Sequence, residues 1–293
     1  MSWKNSAGII LIICALATGL VVHNKYQKET LPTIAPPLSD IELKAQLESA
    51  DQAFKVGNYA SATALYEDVI ARNGGTGKLY QTLAHYYRYW YKFPESEAAF
   101  LQSLELEPNN HRVWTDLGKL YRNMGKYEQA ETVLNRSVEL EPNDPETYSF
   151  GFGYLYLEQK RFREAQRAFE RSLELDPEYE LGLTGLGDVL SRSGNYADAV
   201  AYYKQALAIN PKSEALYSLG MTYRELGEYQ ASLDTLQSYL DLKNERAEVY
   251  YQIGATYERM QNSEAAETAF RKAYELNPDR DLFREAVERY ANN

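Results

Sequence analysis

The stretch WTDLGKLYRNMGKYEQAETVLNRSVELEP, residues 114–142, decides the fold of this 293-residue chain, because its spacing recurs along the sequence. Prolines follow one another at intervals of 34, 35, 34 and 67 residues, the last being roughly two periods, at Pro108, Pro142, Pro177, Pro211 and Pro278. A fixed period of this length is typical of stacked repeats, in which each unit is one supersecondary element that cannot bury its apolar face alone. The function of such a chain lies on a surface of the stack.

Each period carries a small residue where two helices can approach closely. This position holds Ala84, Gly118, Gly153, Gly187, Gly220 and Gly254. Three residues later come Tyr87, Tyr121, Tyr156, Leu190, Tyr223 and Tyr257. Residues three positions apart share one face of a helix. The pattern therefore predicts a first amphipathic helix in every unit, with a large side chain packed beside the small residue.

A second apolar pattern follows a turn in each unit. Its small positions are Ala130, Ala165, Ala199, Ser232 and Ala266, and its large positions, four residues later, are Leu134, Phe169, Tyr203, Leu236 and Phe270. This spacing predicts a second amphipathic helix. Gly125, Gly194 and Gly227 lie between the two patterns, where a residue with positive φ ends the first helix. The proline then closes the unit, because the residue before a proline disfavours helix.

These positions resemble the tetratricopeptide repeat, a helix-turn-helix unit of about 34 residues. The best copy carries the family pattern at Trp114, Leu117, Gly118, Tyr121, Gly125, Tyr127, Ala130, Leu134, Ser137 and Pro142. The resemblance implies an all-α, right-handed superhelical solenoid. It predicts six repeats, at residues 77–110, 111–144, 145–179, 180–213, 214–246 and 247–280. The fifth departs from the pattern, with Asn244 where proline is expected.

The two ends of the repeat array differ from the units between them. Residues 41–76 predict a degenerate helix pair, with Ala62 and Tyr66 in the second-helix positions, and terminal repeats are commonly atypical. Residues 281–293 predict a capping helix that is apolar on one face and charged on the other, as the end of a solenoid requires for solubility.

The N-terminal residues 1–28 contain an uncharged apolar run, residues 6–22. Its seventeen residues are at the short end of the ~17 to 25 that span a bilayer as a helix, and Trp3 and Tyr26 flank it as interfacial residues. We interpret the run as a single uncleaved membrane span with the repeats on the periplasmic or extracytoplasmic side. Residues 29–40, rich in proline, predict a semi-rigid extended linker whose Ser39 or Asp40 caps the first helix.

Two alternatives for the N-terminus stay open. The residues Ala15-Leu16-Ala17 have the small-x-small form of a signal-peptidase site, so cleavage after Ala17 would release a soluble protein. Lipidation of Cys14 is disfavoured because Ile12 and Ile13 precede it. Cys14 is the only cysteine, so the repeat region holds no disulfide and redox chemistry does not identify the compartment.

The sequence offers little for catalysis, cofactors or nucleic acid. Its three histidines, His23, His85 and His111, form no pair at metal-ligand spacing. The glycine-rich residues 73–78 fail the phosphate-loop pattern because Arg72 replaces its first glycine and Leu79 its Ser or Thr. The net charge of −11 argues against a broad nucleic-acid surface. We predict a non-enzymatic protein with no cofactor and no metal.

In this family the first helix of each repeat lines a concave groove, so the resemblance implies that exposed first-helix positions bind the partner. These are Lys78, His85, Arg88, Arg112, Lys119, Arg122, Asn123, Phe150, Tyr154, Leu157, Tyr217, Met221, Arg224 and Tyr251, with Gln81 and Thr115 beside them. The N-terminal positions are basic and the later ones apolar and aromatic. The alternative is that the charges are solvated and that Phe150, Tyr154 and Leu157 pack between repeats.

A basic rim beside an aromatic floor suits a polypeptide partner with an acidic part and one or two large apolar anchors. Thr115 and Gly151 occupy two positions where the carboxylate clamp of chaperone co-receptors would place polar residues, which disfavours that role. We expect a membrane-tethered protein-binding scaffold, in a bacterial envelope. A secreted or periplasmic adaptor is the alternative, and an accessory protein that binds a ligand or glycan for an enzyme is a weaker one.

Overall fold

The computed structural model describes residues 35–243 and 246–291. These residues form fifteen α-helices and one π-helical segment, with no strand in the described ranges. The α-helices are α1 (Asp40–Lys55), α2 (Tyr59–Asn73), α3 (Gly77–Tyr89), α4 (Phe93–Leu106), α5 (His111–Asn123), α6 (Tyr127–Leu140), α7 (Tyr154–Glu158), α8 (Phe162–Leu175), α9 (Glu180–Arg192), α10 (Tyr196–Ile209), α11 (Ala215–Leu226), α12 (Tyr229–Lys243), α13 (Ala247–Arg259), α14 (Ser263–Leu276) and α15 (Asp281–Ala291). The π-helical segment π1 (Thr147–Gly153) directly precedes α7.

The helices form successive antiparallel pairs, and each pair packs against the next. First helices α3, α5, α9, α11 and α13 each precede a second helix, and in the third unit π1 and α7 together form the first helix. The predicted all-α solenoid of helix pairs is confirmed. Each first helix begins within two residues of the repeat start expected from the sequence, and α15 packs on α14 at the C-terminal end.

The small residue of the first helix lets the second helix approach closely. A Cβ at Gly118 would lie 2.6 Å from Cγ of Leu134, and one at Gly187 would lie 2.5 Å from Cε1 of Tyr203. Both distances are shorter than a carbon–carbon contact, so only glycine fits. These two pairs are the small and large positions identified in the sequence.

The turn between the two helices of a unit requires positive φ. Gly125 and Gly227 have φ of 70° and 82°. Tyr91, Lys160 and Gln261 occupy equivalent turns with φ of 59°, a conformation that costs a non-glycine residue about 1–3 kcal/mol. Only the glycine turns are recognisable in the sequence, because no residue type marks a left-handed position that carries a side chain.

The end of the proline-rich linker is docked on the first helix pair. Arg72 Nε donates to the carbonyl oxygen of Pro36 at 2.8 Å. The side chain of Asn73 makes two hydrogen bonds with Leu38: the backbone N–H of Leu38 donates to Asn73 Oδ1 at 3.1 Å, and Asn73 Nδ2 donates to the Leu38 carbonyl at 2.9 Å. Ser39 then caps α1 in a capping box with Glu42. Residues 36–39 therefore belong to the folded domain, which the expected spacer over residues 29–40 did not anticipate.

No helix in residues 35–243 or 246–291 is long and apolar enough to cross a membrane. The apolar run at residues 6–22, Cys14 and the cleavage site after Ala17 lie outside the described residues.

The apolar core is continuous in one part of the solenoid and divided in another. One cluster of buried side chains extends from Ala50 in α1 to Ala168 in α8. The remaining helices contribute to several smaller clusters, centred on side chains such as Tyr203, Leu236 and Phe270.

Candidate functional site

A concave pocket of about 440 Å³ opens between the first helices of three consecutive repeats. Of the residues predicted from the sequence, it is lined by His85, Arg88, Arg112, Lys119 and Phe150, together with Gln81 and Thr115. Four further lining residues were not predicted: Tyr89, Asp116, Asp144 and Glu146. The structure thus brings five of the fourteen predicted residues together in one place.

Asp116 is the centre of the polar network in this pocket. Its carboxylate lies 3.0 Å from His85 Nε2 and 3.2 Å from Lys119 Nζ, and it accepts a hydrogen bond from Gln81 Nε2 at 3.0 Å. Burial raises the pKa of Asp116, but His85, Lys119 and Gln81 outweigh burial and hold the pKa well below its ordinary value. The pocket therefore contains a carboxylate that is ionised at neutral pH.

Lys119 is 4 % exposed and is a buried member of this network. Its amine also pairs with Glu146 from the next repeat and lies 4.8 Å from the centre of the Phe150 ring. An ammonium group that contacts two carboxylates and a ring face has no N–H donor left for a partner.

Arg122 is 9 % exposed and is likewise committed within the protein. Its Nη1 donates to the carbonyl oxygen of Phe150 at 2.8 Å, and its Nε lies 3.3 Å from a carboxylate oxygen of Glu158. Its guanidinium covers the rings of Phe150 and Tyr154 at 5.1 and 5.7 Å. Burial lowers the pKa of Arg122, and Glu158 opposes that shift.

Two of the cations predicted for the basic half of the groove, Lys119 and Arg122, are therefore not available to a partner. Lys119 and Arg122 are neutralised by acidic residues of neighbouring helices, and Asp116 and Glu146 line the same pocket. One signal could have revealed this: Asp116 is the only acidic residue in the sequences of α3 and α5. A lone carboxylate among five Lys and Arg side chains on two neighbouring first helices is their natural counter-ion.

Other predicted residues lie in different settings. Lys78 and Asn123 are exposed on α3 and α5. Leu157 is 1 % exposed and packs in the core against Phe169, so its assignment to the groove surface is a correction in favour of inter-repeat packing. Tyr154 also contacts the Phe169 ring, edge to face, at 5.2 Å.

The C-terminal members of the predicted set do not join the first pocket. Tyr217 lies against Tyr239 with ring centres 5.6 Å apart, and Met221 is part-buried. Arg224 donates to Gln252 at 2.6 Å. Tyr251 lines a second depression of about 550 Å³ beside α15, formed with Leu282, Glu285, Ala286, Glu288 and Arg289.

In the first pocket, His85 and Lys119 pair with Asp116, and the hydroxyl of Thr115 is bonded to other hydroxyls between the repeats. In residues 35–243 and 246–291, no group of three or more His, Cys, Asp or Glu side chains is arranged to hold a metal ion.

Family models described as tetratricopeptide repeat match residues 110–178, 150–214, 184–247 and 247–280. Together these matches run from residue 110 to residue 280, which is more than half of the chain. The helix pair of α3 and α4 has the same arrangement but precedes the matched region.

Solved structures share the fold at low sequence identity. The APC/C hetero-tetramer Cut9-Hcn1 gives a TM-score of 0.67 at 18% identity, covering 86% of this chain and 57% of that chain. A tetratricopeptide repeat protein from Parabacteroides merdae gives a TM-score of 0.63 at 17% identity, covering 84% of this chain and 97% of that chain. PilW, a type IV pilus biogenesis factor, gives a TM-score of 0.62 at 18% identity, covering 73% of this chain and 98% of that chain.

Among curated proteins, the Hsp70-Hsp90 organising protein of Plasmodium falciparum is 22% identical over 111 residues. That alignment covers 38% of this chain and 44% of the relative, so the chain spans less than half of the relative's length. The matched family models, the recurring helix pairs and these solved structures lead to one conclusion. The chain belongs to the tetratricopeptide repeat family.

Proposed function

We propose that this protein is a non-enzymatic scaffold that binds a partner polypeptide in the concave groove of its solenoid. The observation that carries this proposal is the pocket of about 440 Å³, because it is continuous across the first helices of three repeats. A groove of that kind accepts an extended or helical segment along several repeats at once.

The partner that this groove fits has an acidic part and an apolar anchor. Arg88 and Arg112 supply the positive charge, while Tyr89 and Phe150 supply aromatic surface beside it. Tyr89 is about half exposed and Phe150 is part-buried under Lys119 and Arg122, so Tyr89 is the more accessible of the two rings. Aromatic and arginine side chains together are the usual composition of binding hot spots.

The similarity to an Hsp70-Hsp90 organising protein supports this general role of binding other proteins. The pocket has Thr115 bonded to Ser137 and Thr147, at 2.8 and 2.6 Å, so its hydroxyl is used inside the repeat interface and is not directed at a ligand.

The membrane tether is part of the proposal. It is supported by the seventeen-residue apolar run at residues 6–22 and by its aromatic flanks. A tether restricts encounters to the membrane surface and raises the effective concentration there. We place the repeats on the extracytoplasmic side of a bacterial envelope.

A steric block of the pocket tests the groove. In a Cys14→Ser background, which has no other cysteine, Arg112→Cys is labelled with a bulky maleimide, and the full chain is used to recover cross-linked partners. The matched control is Arg136→Cys, because Arg136 lies exposed on second helix α6 away from the pocket. We expect the label at position 112 to abolish recovery of a partner that the label at position 136 leaves intact. Equal recovery from both would refute the groove.

The tether has a separate test. Intact-mass measurement of the natural protein is expected to show the whole N-terminus, and flotation with lipid vesicles is expected to depend on residues 6–22. A mass that lacks the first seventeen residues, as cleavage after Ala17 would produce, would instead favour a released adaptor.

A further inference from the structure

We infer that an aromatic tip at the N-terminal end of the solenoid inserts into the interfacial layer of an anionic lipid bilayer. The aromatic tip consists of Val56, Trp90 and Tyr91, with Lys55 and Lys92 beside them. This inference rests on the proposed membrane tether and deepens it, because it names a second contact between the protein and the membrane.

Two neighbouring turns form the aromatic tip: the turn between α1 and α2 and the turn between α3 and α4. Phe54, in the last turn of α1, stacks on Tyr86 of α3 with ring centres 4.2 Å apart. Phe54 also contacts the Tyr89 ring edge to face at 5.2 Å. Val56 comes two residues after Phe54. Trp90 directly follows Tyr89, so the two turns lie side by side.

The apolar side chains of the aromatic tip are exposed to solvent. Tyr91 is 80 % exposed, Val56 is 69 % exposed and Trp90 is 37 % exposed. The two positions of Trp90 and Tyr91 hold no aromatic residue in the turns of the five helix pairs that follow. Those turns have Met124 and Gly125, Gln159 and Lys160, Ser193 and Gly194, Leu226 and Gly227, and Met260 and Gln261. Packing of the repeat therefore does not require an aromatic residue here.

The backbone of Tyr91 also indicates a role outside packing. Its φ is 59°, in the left-handed region, where a residue with a side chain is strained. Four equivalent turns have glycine, which adopts positive φ freely: Gly57, Gly125, Gly194 and Gly227. The chain thus keeps an exposed tyrosine at a position that glycine would occupy with less strain.

The composition of the aromatic tip matches a membrane interface. Trp and Tyr side chains prefer that layer because the ring is apolar while its N–H or O–H stays hydrated. Lys92 Nζ lies 5.3 Å from the centre of the Trp90 ring. A lysine in this place can bury its methylene groups beside the ring and extend its amine to a lipid phosphate.

The charge of the two turns complements an anionic bilayer. Residues 54–62 and 88–96 carry three cations, Lys55, Arg88 and Lys92, and one carboxylate, Glu95. The corresponding turns of the last two helix pairs, residues 224–232 and 258–266, carry two arginines and four glutamates. Anionic lipids attract lysine near the surface and repel glutamate. The N-terminal end of this chain of net charge −11 is therefore the end that suits a membrane.

The aromatic tip can reach a bilayer that holds residues 6–22. Residue 35 comes thirteen residues after that run, and thirteen residues span at most about 45 Å. The chain enters α1 at the end opposite the aromatic tip, and the 16 residues of α1 are about 24 Å long. Because the connecting residues exceed this length, the apolar run and the aromatic tip can lie in the same bilayer.

Quenching of Trp90 by brominated lipid tests the insertion, because bromine quenches tryptophan only near contact. The full chain carries Trp3→Phe and Trp114→Phe, which leave Trp90 as its only tryptophan. It is reconstituted in vesicles of equal parts phosphatidylglycerol and phosphatidylcholine, with the phosphatidylcholine brominated near the glycerol end of its acyl chains or unbrominated. We expect bromine to quench the emission of Trp90.

A second reporter serves as the control for position. The chain with Trp3→Phe and Trp90→Phe retains Trp114, whose Nε1 donates to the Pro108 carbonyl at 2.9 Å within the protein. We expect no quenching of Trp114. Equal quenching of both reporters would mean non-specific association with the vesicle and would overturn the inference, as would an unquenched Trp90.

Matched turn variants show whether the exposed ring is responsible. Tyr91→Gly removes the ring and relieves the backbone, so thermal stability should be kept or increased. We expect it to lower the quenching of Trp90 by at least about twofold. Gln261→Gly makes the same backbone change at the other end of the solenoid and should leave quenching unchanged. Equal quenching in the two variants would contradict the inference.

Two further measurements test the identity of the surface that is bound. Quenching should weaken when phosphatidylcholine replaces phosphatidylglycerol, and Lys55→Gln with Lys92→Gln should have the same effect; unchanged quenching in both cases would overturn the anionic preference. A shift of Trp90 emission that grows with protein concentration in lipid-free detergent would identify a second copy of the chain as the occupant and overturn the inference.

The aromatic tip and the proposed function fail separately. If residues 6–22 hold the chain on vesicles but Trp90 is not quenched, the tether stands and the aromatic tip is wrong. If Trp90 is quenched although residues 6–22 are not needed for vesicle binding, the aromatic tip stands and the tether is wrong. A chain that does not associate with these vesicles overturns both. The label at position 112 tests the groove independently of either result.

Discussion

The N-terminal and C-terminal halves of this solenoid are built from the same repeat, but they differ in how continuously the apolar core extends from one repeat to the next. In the N-terminal half, one apolar cluster runs through every helix from α1 to α7 and reaches Ala168 in α8, whereas the helices that follow are divided among smaller clusters. The difference continues in the polar contacts. It indicates that the candidate pocket is built on the half in which neighbouring repeats are most firmly connected.

The polar difference lies in the tyrosine of the first helix. In the N-terminal half its hydroxyl donates to a glutamate of the preceding second helix: Tyr87 to Glu67, and both Tyr121 to Glu97 and Tyr156 to Glu131 at 2.9 Å. Leu190 occupies this position in α9, and Tyr223 and Tyr257 form no such bond in the described residues. The side chain at this position of the first helix has the same packing role along the solenoid, but its hydrogen bond to a glutamate belongs to the N-terminal half.

The largest expected effect comes from truncating the core leucine of each half. Leu134 and Leu236 occupy equivalent, fully buried positions, so each change to Ala should cost about 2–5 kcal/mol. Since repeat stability is nearly a sum of unit and neighbour terms, Leu236→Ala should let the C-terminal half unfold first.

Urea denaturation can separate these two events. Trp90 and Trp114 are the tryptophans in the described residues, and both lie in the N-terminal half, while circular dichroism reports all helices. For Leu236→Ala we expect the dichroism transition to precede the fluorescence transition, and for Leu134→Ala we expect no such order. Coincident transitions in both variants would mean that the halves are not independent.

The next largest effect contrasts two carboxylates on first helices. The pKa of Asp116 is held low by His85 and Lys119 against burial, whereas burial raises the pKa of Asp188 despite its hydrogen bond from Tyr203 at 2.8 Å. At neutral pH, Asp116→Asn should therefore destabilise the protein by about 1–3 kcal/mol. Asp188→Asn should be neutral or stabilising.

The pH dependence of these two groups has opposite sign. The contribution of Asp116 is fully present above its unfolded pKa of about 4 and is lost as the pH falls below that value. The contribution of Asp188 is present at low pH and is lost as the pH rises from about 4 through its raised pKa. Melting temperatures between pH 2 and 7 should therefore fall less steeply on acidification for Asp116→Asn than for the natural protein. An unchanged slope would contradict the network described here.

A smaller effect should follow from removing the tyrosine hydroxyl. Tyr121→Phe deletes the hydrogen bond to Glu97, whose ion pair with Lys126 at 3.0 Å remains. We therefore expect the free energy of unfolding to fall by about 1 kcal/mol. Tyr223→Phe is the matched control and should change the free energy of unfolding by less than about 0.5 kcal/mol. Chemical denaturation of both variants measures the difference, and equal losses would show that the bond contributes nothing.

The smallest effect appears only at high pH. Burial first, and then the hydrogen bond to Glu131, raise the pKa of Tyr156 to about 12. The phenol is therefore neutral in the folded state beyond the unfolded value of about 10, and its contribution is lost as the pH rises from 10 to 12. Tyr156→Phe should flatten the fall in melting temperature over this range relative to the natural protein, and an identical fall would rule out this assignment.

The sequence predicts the fold well because packing positions recur. The Gly118–Leu134 pair follows from the period alone, since each unit must solve the same packing problem. The groove is less predictable, because its contacts join aperiodic residues of different repeats. The positions of Asp116 and Lys119 predict a charged surface, but only the distance between adjacent first helices shows that these charges pair with each other and with Glu146. Leu157 was assigned to the groove because the equivalent position holds Arg88 and Arg122 in the two preceding repeats, but an apolar side chain at this position packs into the core.

The two-bond contact between Asn73 and Leu38 has a mechanical consequence. The N-terminal segment leaves the solenoid at a point fixed by side chains of α2, and tension on that segment reaches Asn73 and Arg72 before it reaches the cap of α1. The two parallel bonds to Leu38 would be loaded together, as a unit, and not one after another. Under a pulling force on the N-terminal side, the contacts of Pro36 and Leu38 with α2 would therefore carry load before the first turn of α1 does.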